Sequence, residues 1–334
     1  MIKIAIHYES GLGRNDGNPL YVCAFLKRLQ FFVDILFKRD QDKTTIKYFP
    51  STESLTWCES KDLAHWWVDT FGEPFKIDHV SSSGKHDIQG EYDLNIWVDW
   101  GEDGLRNILP YEPVWPTHNV VYWASDTHLG YDYRLKRARQ ADVVFTAQKK
   151  ATIMFKEDGM DSTWLPHAVE PLAYPNYNLA SKKRDICFIG HINSENRIEM
   201  LDRALKEFPD FFYGQRKFEK ASRIYKESRI VLNNSMKDDV NMRTFETMAS
   251  GSFLMTDNII YMDELFQDRK HCALYEDLDD MVEKIHYYLD NPKERERIAK
   301  VGYEEVMRRH TFKSRIKLML EKSKHLILKE KAYA

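Results

Sequence analysis

The chain has 334 residues, of which 43% are hydrophobic and 13% are aromatic, and its formal net charge at pH 7 is −3. This composition is that of a folded protein and excludes a disordered chain, while the length suits two domains of about 150 residues each. The charge excludes a protein that binds nucleic acid through a global basic field, although it leaves room for local basic patches.

The four cysteines bear on where the protein resides. They are far apart and form no Cys-x-x-Cys pair: Cys23, Cys58, Cys187 and Cys272. Such a pattern indicates reduced packing residues, as in a cytoplasmic protein. Residues 1–8 have a strand pattern rather than that of a signal peptide, and no run reaches the roughly 18 apolar residues of a membrane span. The sequence therefore predicts a cytoplasmic protein.

The first half of the chain alternates strand patterns with helix patterns. Strands are predicted at residues 3–8, 45–49, 75–80, 93–98, 119–124 and 142–147, and helices at residues 19–38, 61–71 and 148–157. This alternation indicates a parallel, doubly wound sheet. Ligands of such sheets bind beyond the carboxyl ends of the strands.

A glycine-rich loop follows the first strand and contains Gly13, Arg14, Asn15 and Asp16. Glycine allows a ligand to approach the backbone closely, but many α/β proteins carry such a loop without a ligand. An acidic segment at residues 99–103 follows another strand. A solvated loop is the simpler interpretation of that segment.

Asp126 and His128 follow the buried strand pattern of residues 119–124. They are therefore expected at the carboxyl end of that strand, where a histidine could hydrogen-bond a substrate hydroxyl or transfer a proton. The alternative is structural: Asp126 would cap a helix and His128 would pack against it.

Prolines at residues 166, 171 and 175 favour an extended linker between two domains, with His167 held between two of them. A second domain of the same kind follows. Its strands are predicted at residues 185–191, 211–214, 229–234, 253–257 and 272–275, and its helices near residues 195, 241–250, 277–289 and 292–309. The predicted domains are residues 1–178 and residues 179–311.

Several residues of the second domain suit a phosphate or a nucleotide. Gly190 and His191 end its first strand, and Gly190 leaves room for a phosphate that Arg197, at the next helix start, could neutralise. Tyr213 ends the second strand and could form a wall for a nucleotide base. The sequences GxGxxG and GxxxxGK[ST] do not occur, which excludes a dinucleotide fingerprint and a P-loop.

The most informative stretch joins the strand at residues 229–234, which ends at Asn234, to the helix that follows. Asn241 opens this helix and is expected to cap its free N–H groups, while Met242 begins its inner face. A helix N-terminus attracts anions, and Arg243 adds a positive charge suited to a diphosphate.

Two acids complete this stretch. Glu246 can accept hydrogen bonds from two adjacent hydroxyls, such as those of a ribose. Asp238 lies eight positions earlier, which gives an acid-x7-acid spacing. The alternative is a helix start rich in capping residues with a surface ion pair.

The string Asn-Met-Arg-x-Phe-Glu-x-Met-Ala-x-Gly at residues 241–251 resembles the spore maturation protein B (CgeB-like) branch of the GT-B glycosyltransferases. The acid-x7-acid spacing resembles the Glu-x7-Glu element of retaining enzymes of the group 1, family 4-like type, with aspartate in the first position. The segments Asp-x-His-x-Gly-Tyr at residues 126–131 and His-Thr-Phe at residues 310–312 also resemble this family. The resemblance is strong over residues 119–175 and 185–311.

This resemblance implies an α/β protein of the GT-B fold, in which two Rossmann-like domains face a cleft and residues 312–334 cross back to the first domain. It implies a glycosyltransferase of the hexosyltransferase type that retains the configuration of the sugar and is independent of metal and cofactor. The donor would be a UDP-, GDP- or dTDP-sugar. The acceptor, whether a glycan, a protein, a small molecule or a modified nucleic acid, is not identified by the sequence.

The resemblance also assigns roles to residues. The catalytic residues are expected to be His128, Asp126 and Asp238. Donor-binding residues are expected to be Gly190, His191, Arg197, Tyr213, Asn234, Asn241, Met242, Arg243 and Glu246. Residues of the cleft or acceptor side are expected to be Gly13, Arg14, Asn15, Asp16 and His167.

Two other functions stay open at this stage. A sugar-nucleotide epimerase could use the same architecture, and so could a catalytically silent binding or scaffold protein, because fold alone does not fix function. Residues 293–331 carry 13 Lys/Arg against 6 Asp/Glu, which could favour acidic lipids or nucleic acid. The simpler interpretation is that these residues form the solvated faces of ordinary helices.

Overall fold

The computed structural model describes residues 1–8, 22, 25–27, 29–30, 33, 55–81, 92–99, 118–176, 182–192, 194–236 and 239–333. The predicted loop with Gly13, Arg14, Asn15 and Asp16, the predicted strand at residues 45–49 and the predicted catalytic Asp238 lie outside the described residues.

The chain divides into two units. The first contains Met1–Pro166 together with Phe312–Ala334, and the second contains His167–Thr311. The division places the proline-rich segment after Pro166 in the second unit, whereas the sequence prediction ended the first domain at residue 178.

The described part of the first unit is a parallel sheet of six strands in the order β2-β1-β3-β4-β5-β6. The strands are β1 (Ile2–Tyr8), β2 (Phe75–Ser81), β3 (Leu94–Val98), β4 (Val120–Ala124), β5 (Val143–Thr146) and β6 (Thr163–Trp164). Every residue of β3 and β4 is buried, as expected when helices cover both faces of a parallel sheet. The predicted parallel sheet is thus confirmed, and β6 adds a short edge strand that the sequence did not predict.

Helices of the first unit are α1 (Leu55–Phe71), α2 (Tyr131–Ala138) and α3 (Lys149–Glu157). The described residues between 22 and 33 are also helical, which agrees with the helix predicted there. Helix α1 begins earlier than the predicted residue 61. The prediction started too late because the first residues of the helix lack the apolar periodicity on which it rested.

The second unit has a parallel sheet of five described strands in the order β11-β10-β9-β7-β8. These strands are β7 (Arg184–Ile189), β8 (Phe212–Gly214), β9 (Ser228–Leu232), β10 (Leu254–Asp257) and β11 (Ala273–Tyr275). Its helices are α4 (Glu195–Glu207), α5 (Phe218–Glu227), α6 (Met242–Ala249), α7 (Leu278–Asp290) and α8 (Pro292–Arg309). Helix α5 was not predicted, since six of its ten residues are charged or polar.

The final helix, α9 (Phe312–Tyr333), belongs to the first unit, as predicted. Phe312 contacts Trp123 edge to face at 6.2 Å, and Arg315 Nε donates to the carbonyl of Pro166 at 2.7 Å. Apolar residues of α9, among them Ile316 and Leu320, are buried. The basic residues counted at residues 293–331 therefore lie on helices that also have a buried face, which supports their interpretation as the solvated faces of ordinary helices.

Among the described residues, no helix is both long and apolar enough to cross a membrane.

Parallel strands place their carboxyl ends along one edge of a sheet. In the second unit three adjacent strands end at this edge: Gly190 follows β7, Asn233 follows β9, and Asp257 is the last residue of β10. Cys187, a buried free thiol, lies within β7 and faces the packed interior, which confirms its predicted role as a packing residue.

Candidate functional site

Asn233 is the residue that organises the carboxyl edge of the second sheet. Its side chain is fully buried, and its Oδ1 accepts hydrogen bonds from Arg243 Nη1 at 2.7 Å and from Asn241 Nδ2 at 3.2 Å. Its Nδ2 donates to Thr256 Oγ1, on the neighbouring strand, at 3.0 Å. Because a buried amide has few other partners, Asn233 fixes the positions of Asn241 and Arg243 relative to the sheet.

Asn241 does not cap α6 with its side chain, contrary to the prediction. It is the residue before the helix and has an extended backbone, but its side chain makes no capping hydrogen bond. The amide donates to Asn233 instead. The prediction failed because the hydrogen bond from Asn241 Nδ2 to Asn233 turns the side-chain amide toward the sheet, and Asn241 Oδ1 then accepts no hydrogen bond from the helix N–H groups.

Arg243 lies in the first turn of α6 with its guanidinium directly over Gly190. A Cβ atom at Gly190 would lie 1.7 Å from Arg243 Nη2, so only glycine leaves room for this contact. The guanidinium carbon also lies 4.4 Å from the ring centroid of Phe188, within cation–π range. The sheet edge therefore holds a half-buried, oriented cation at Gly190, the residue where the sequence predicted space for a phosphate.

A second guanidinium, that of Arg197, lies in the first turn of α4 and is buried. Its Nε donates to the carbonyl of Asn234 at 3.1 Å, and its Nη1 donates to the carbonyl of His191 at 3.2 Å. Burial first, and then repulsion from Arg243, lower the pKa of Arg197 to about 10. An anion beside the two guanidiniums would relieve this repulsion.

The loop after β9 contains three buried side-chain oxygens that have no hydrogen-bond partner among the described residues: Asn234 Oδ1, Ser235 Oγ and Asn241 Oδ1. Asn234 Nδ2 donates to the hydroxyl of Tyr275 at 3.3 Å, which leaves Oδ1 as its unsatisfied atom. Buried polar atoms are normally hydrogen-bonded. A group of unsatisfied oxygens in one loop is therefore typical of a surface that binds a ligand or water.

Glu246 lies one turn after Arg243 on α6. The residue keeps some accessible surface, but its carboxylate is surrounded by protein atoms, and burial raises its pKa. Three groups oppose that rise: a hydrogen bond from Tyr174, then the charges of Arg243 and Lys217. The carboxylate is thus enclosed beside a cation rather than exposed as a surface ion pair.

The other predicted donor-side residues lie at the margins of this cluster. Met242 is half-buried, and His191 is exposed. Tyr213 is 46% exposed on the edge strand β8, where its ring stacks on Phe211 at 6.3 Å. His167, the predicted cleft residue, is buried at the start of the second unit.

In the first unit, Asp126 and His128 follow β4 as predicted, in a short 3-10 helix (Thr127–Leu129). Asp126 has a left-handed backbone with φ of 50° and makes no side-chain capping bond, which contradicts the alternative that it caps a helix. His128 is half-buried. Arg134, fully buried on α2, donates to the carbonyl of Gly130 at 3.2 Å and so holds the end of this turn.

The interpretation of residues 99–103 as a solvated loop is wrong for Asp99. Its carboxylate is buried, pairs with Arg134 Nε at 2.9 Å and accepts a hydrogen bond from the hydroxyl of Tyr122 at 3.0 Å. The buried carboxylate is retained because a buried cation and a hydroxyl satisfy it. The rest of that segment lies outside the described residues.

Residues 195–321 match the sequence model of a family described as glycosyl transferase-like. No protein of curated function has a sequence similar enough to count as a relative.

Several solved structures match nearly the whole chain. Sucrose-phosphate synthase from Thermosynechococcus elongatus is 12% identical with a TM-score of 0.59, over 98% of this chain and 100% of that one. A glycosyltransferase from Rickettsia africae is 10% identical with a TM-score of 0.58, over 98% of each chain. Alr3699/HepE from Anabaena, solved in complex with UDP-glucose, is 10% identical with a TM-score of 0.55, over 95% of this chain and 98% of that one. The chain has the GT-B fold.

One pattern of this GT-B chain was overlooked in the sequence. Asp277 and Asp279 form an Asp-x-Asp pair, which in metal-dependent glycosyltransferases binds the metal. Here the Asp277 carboxylate accepts hydrogen bonds from the backbone N–H groups of Asp279 and Asp280, each at 2.9 Å. Asp277 therefore caps α7.

Sequence reasoning missed two residues of this candidate site. Asn233 was seen only as part of a strand end, and the site role was given to its neighbour Asn234, because the sequence does not indicate which amide faces Arg243. Tyr174 was placed in an extended linker. The sequence feature that could have indicated Tyr174 is an aromatic residue between two prolines. The structure shows that this residue is buried.

Proposed function

We propose that this protein is a glycosyltransferase that moves a sugar from a nucleoside diphosphate to an acceptor. The observation that carries the proposal is the guanidinium of Arg243 fixed over Gly190 beside the buried Arg197, at the carboxyl edge of the second sheet. Both arginines fall within residues 195–321, the segment that matches the glycosyl transferase-like family.

The donor diphosphate would bind against this cluster. Glycosyl transfer breaks the bond between the sugar carbon and the diphosphate, so negative charge develops on the leaving oxygen as the sugar becomes oxocarbenium-like. Arg243, held by Asn233, and the N-terminus of α6 would stabilise that charge. Since these groups are already oriented, little reorganisation accompanies the reaction. We propose retention of configuration and a reaction that does not depend on a metal, on the CgeB-like pattern of residues 238–251.

The remaining donor contacts follow from this placement. The ribose would bind at Glu246, and the unsatisfied oxygens of Asn234 and Asn241 would accept hydrogen bonds from the donor or its bound water. UDP-sugars are the first donors to test, since the Anabaena structure contains UDP-glucose. Asp126, His128 and Asp238 are proposed to act on the sugar, and His167 with residues 13–16 on the acceptor side.

The test of this function is incubation with a panel of UDP-, GDP- and dTDP-sugars, followed by measurement of free nucleoside diphosphate and of the sugar products. A transferase should release nucleoside diphosphate slowly by hydrolysis, and faster once an acceptor extract is added. An epimerase would instead yield isomeric nucleotide sugars. A protein that releases nothing and binds no nucleotide would contradict the proposal.

Replacing Glu246 with alanine is expected to weaken nucleoside diphosphate binding by about 1.5–3 kcal/mol, because a charged acceptor for the ribose hydroxyls is lost. The measurement is titration calorimetry with UDP and with 2′-deoxy-UDP. The wild type should prefer the ribonucleotide, and the variant should bind the two nearly equally. A variant that keeps the wild-type preference would remove Glu246 from the ribose site, whatever its absolute affinity.

Replacing His128 with alanine is expected to leave nucleotide affinity within about twofold while it slows turnover by about 100-fold, within the range for a lost acid, base or polar contact to the reacting group. Steady-state rates and calorimetry on the same preparation check this. Full activity in the variant would return His128 to a packing role.

A further inference from the structure

We infer that Tyr174 is a positioning residue for the donor site: its hydroxyl holds the Glu246 carboxylate in the orientation that accepts the ribose hydroxyls. This inference rests on the proposed function, because it assigns a partner to the residue proposed to bind ribose. Nothing in the sequence resemblance gives Tyr174 a role.

The contact itself lies within the second unit. The Tyr174 hydroxyl hydrogen-bonds the Glu246 carboxylate, and the tyrosine is buried at 4% exposure. Its ring contacts that of Phe218, at the start of α5, with centroids 6.4 Å apart. The ring is thus packed on one side while its polar end reaches the site, an arrangement that suits an amphipathic aromatic residue.

The residues after Tyr174 anchor it at two points. The carbonyl of Pro175 accepts a hydrogen bond from Ser222 Oγ at 2.6 Å. The side-chain amide of Asn176 lies against Gly251, where a Cβ would come within 2.5 Å of Asn176 Nδ2. Gly251 ends α6 with φ of +69° and therefore requires glycine for both its backbone and its contact. The hydrogen bond to α5 and the contact with Gly251 together restrict the position of the segment that carries Tyr174.

A carboxylate has acceptor positions for about four hydrogen bonds, so one hydroxyl from Tyr174 leaves room for two from a ribose. The tyrosine is therefore compatible with bound nucleotide rather than a substitute for it. By donating to one oxygen it restricts rotation of the carboxylate and directs the remaining lone pairs.

The charge state gives this role a distinct signature. The groups around the carboxylate are Tyr174 from the linker, Arg243 from the same helix, and Lys217 and Tyr225 from the start and body of α5. Burial raises the pKa of Glu246, and the hydrogen bond from Tyr174 is the first of the effects that lower it. Loss of the hydroxyl must therefore raise this pKa, so that protonation of Glu246 begins at a higher pH and removes the ribose acceptor.

The experiment is calorimetric titration of UDP into wild-type protein and the Tyr174→Phe variant between pH 5 and pH 8.5. We expect the acid decline of affinity to move up by about 0.5–1 pH unit in the variant, which amounts to about three- to tenfold weaker binding on the acid side. At pH 8.5 the two proteins should agree within about twofold. Titration of the nucleotide phosphate is common to both and cancels in the comparison.

Two further variants make the result specific. Tyr287→Phe removes an exposed tyrosine hydroxyl that also donates to a glutamate, Glu294 at 2.6 Å, and its profile should match the wild type. In a Glu246→Gln background, Tyr174→Phe should produce no pH shift. Coincident profiles for wild type and Tyr174→Phe, or an equal loss at every pH, would overturn the inference while leaving the proposed function intact. A wild type that binds no nucleoside diphosphate at all would overturn both.

Discussion

Replacing Arg243 with alanine is expected to weaken nucleoside diphosphate binding about 10- to 100-fold and to reduce turnover about 100- to 1,000-fold. The guanidinium is the oriented cation of the site: Asn233 holds it through a 2.7 Å hydrogen bond and Phe188 supports its face. Turnover should fall further than affinity because charge on the diphosphate increases as the sugar departs.

The controls for this result distinguish charge from geometry. Arg243→Lys keeps a positive charge but loses the planar fork, so its affinity should fall between those of the wild type and the alanine variant. Arg229→Ala removes an exposed arginine of β9 that pairs with Asp185, and it should change neither affinity nor turnover. If Arg243→Ala retained wild-type affinity for every nucleoside diphosphate tested, the diphosphate would have to bind elsewhere.

Replacing Gly190 with alanine is expected to weaken donor binding nearly as much as loss of Arg243, about 10- to 100-fold. The new Cβ would lie 1.7 Å from Arg243 Nη2. Since the clashing atoms are the end of a flexible side chain, the guanidinium should move away while the protein still folds. The measurement is nucleotide affinity by calorimetry, with thermal unfolding as a check on folding.

A matched glycine and a double variant complete this test. Gly214 ends the adjacent strand β8, and a Cβ there would meet nothing within 4 Å, so Gly214→Ala should bind nucleotide as the wild type does. Gly190→Ala combined with Arg243→Ala should be little worse than Arg243→Ala alone, because both changes remove the same interaction. Additive losses would show that Gly190 acts through something other than Arg243.

The sheet architecture could be predicted from the sequence because apolar runs and turn residues carry that information. The run at residues 229–234 became β9 (Ser228–Leu232), and the helix predicted at residues 241–250 became α6, which is followed by Gly251 in a left-handed conformation. These features depend on local periodicity and backbone freedom, which a single sequence expresses directly.

The hydrogen bonds of the site could not be predicted in the same way, since they depend on which distant side chains meet. Asn233, rather than Asn234, accepts the hydrogen bond from Arg243. It also accepts one from Asn241, whose side chain then does not cap the helix. Tyr174 reaches Glu246 from a segment more than 70 positions earlier in the sequence. Asp99 lies in an acidic segment, yet the buried Arg134 pairs with it. In each case the contact joins side chains from different segments of the chain, and local sequence patterns do not specify which side chains meet.

The central claim is that a nucleoside diphosphate binds at the carboxyl edge of the second sheet, beside Gly190 and Arg243. A crystal structure with the nucleoside diphosphate that binds most tightly tests it directly. The diphosphate oxygens should lie within hydrogen-bond distance of the Arg243 guanidinium, and the ribose hydroxyls should contact Glu246. A nucleotide bound away from these two side chains, with Arg243 still paired only to Asn233, would contradict the claim.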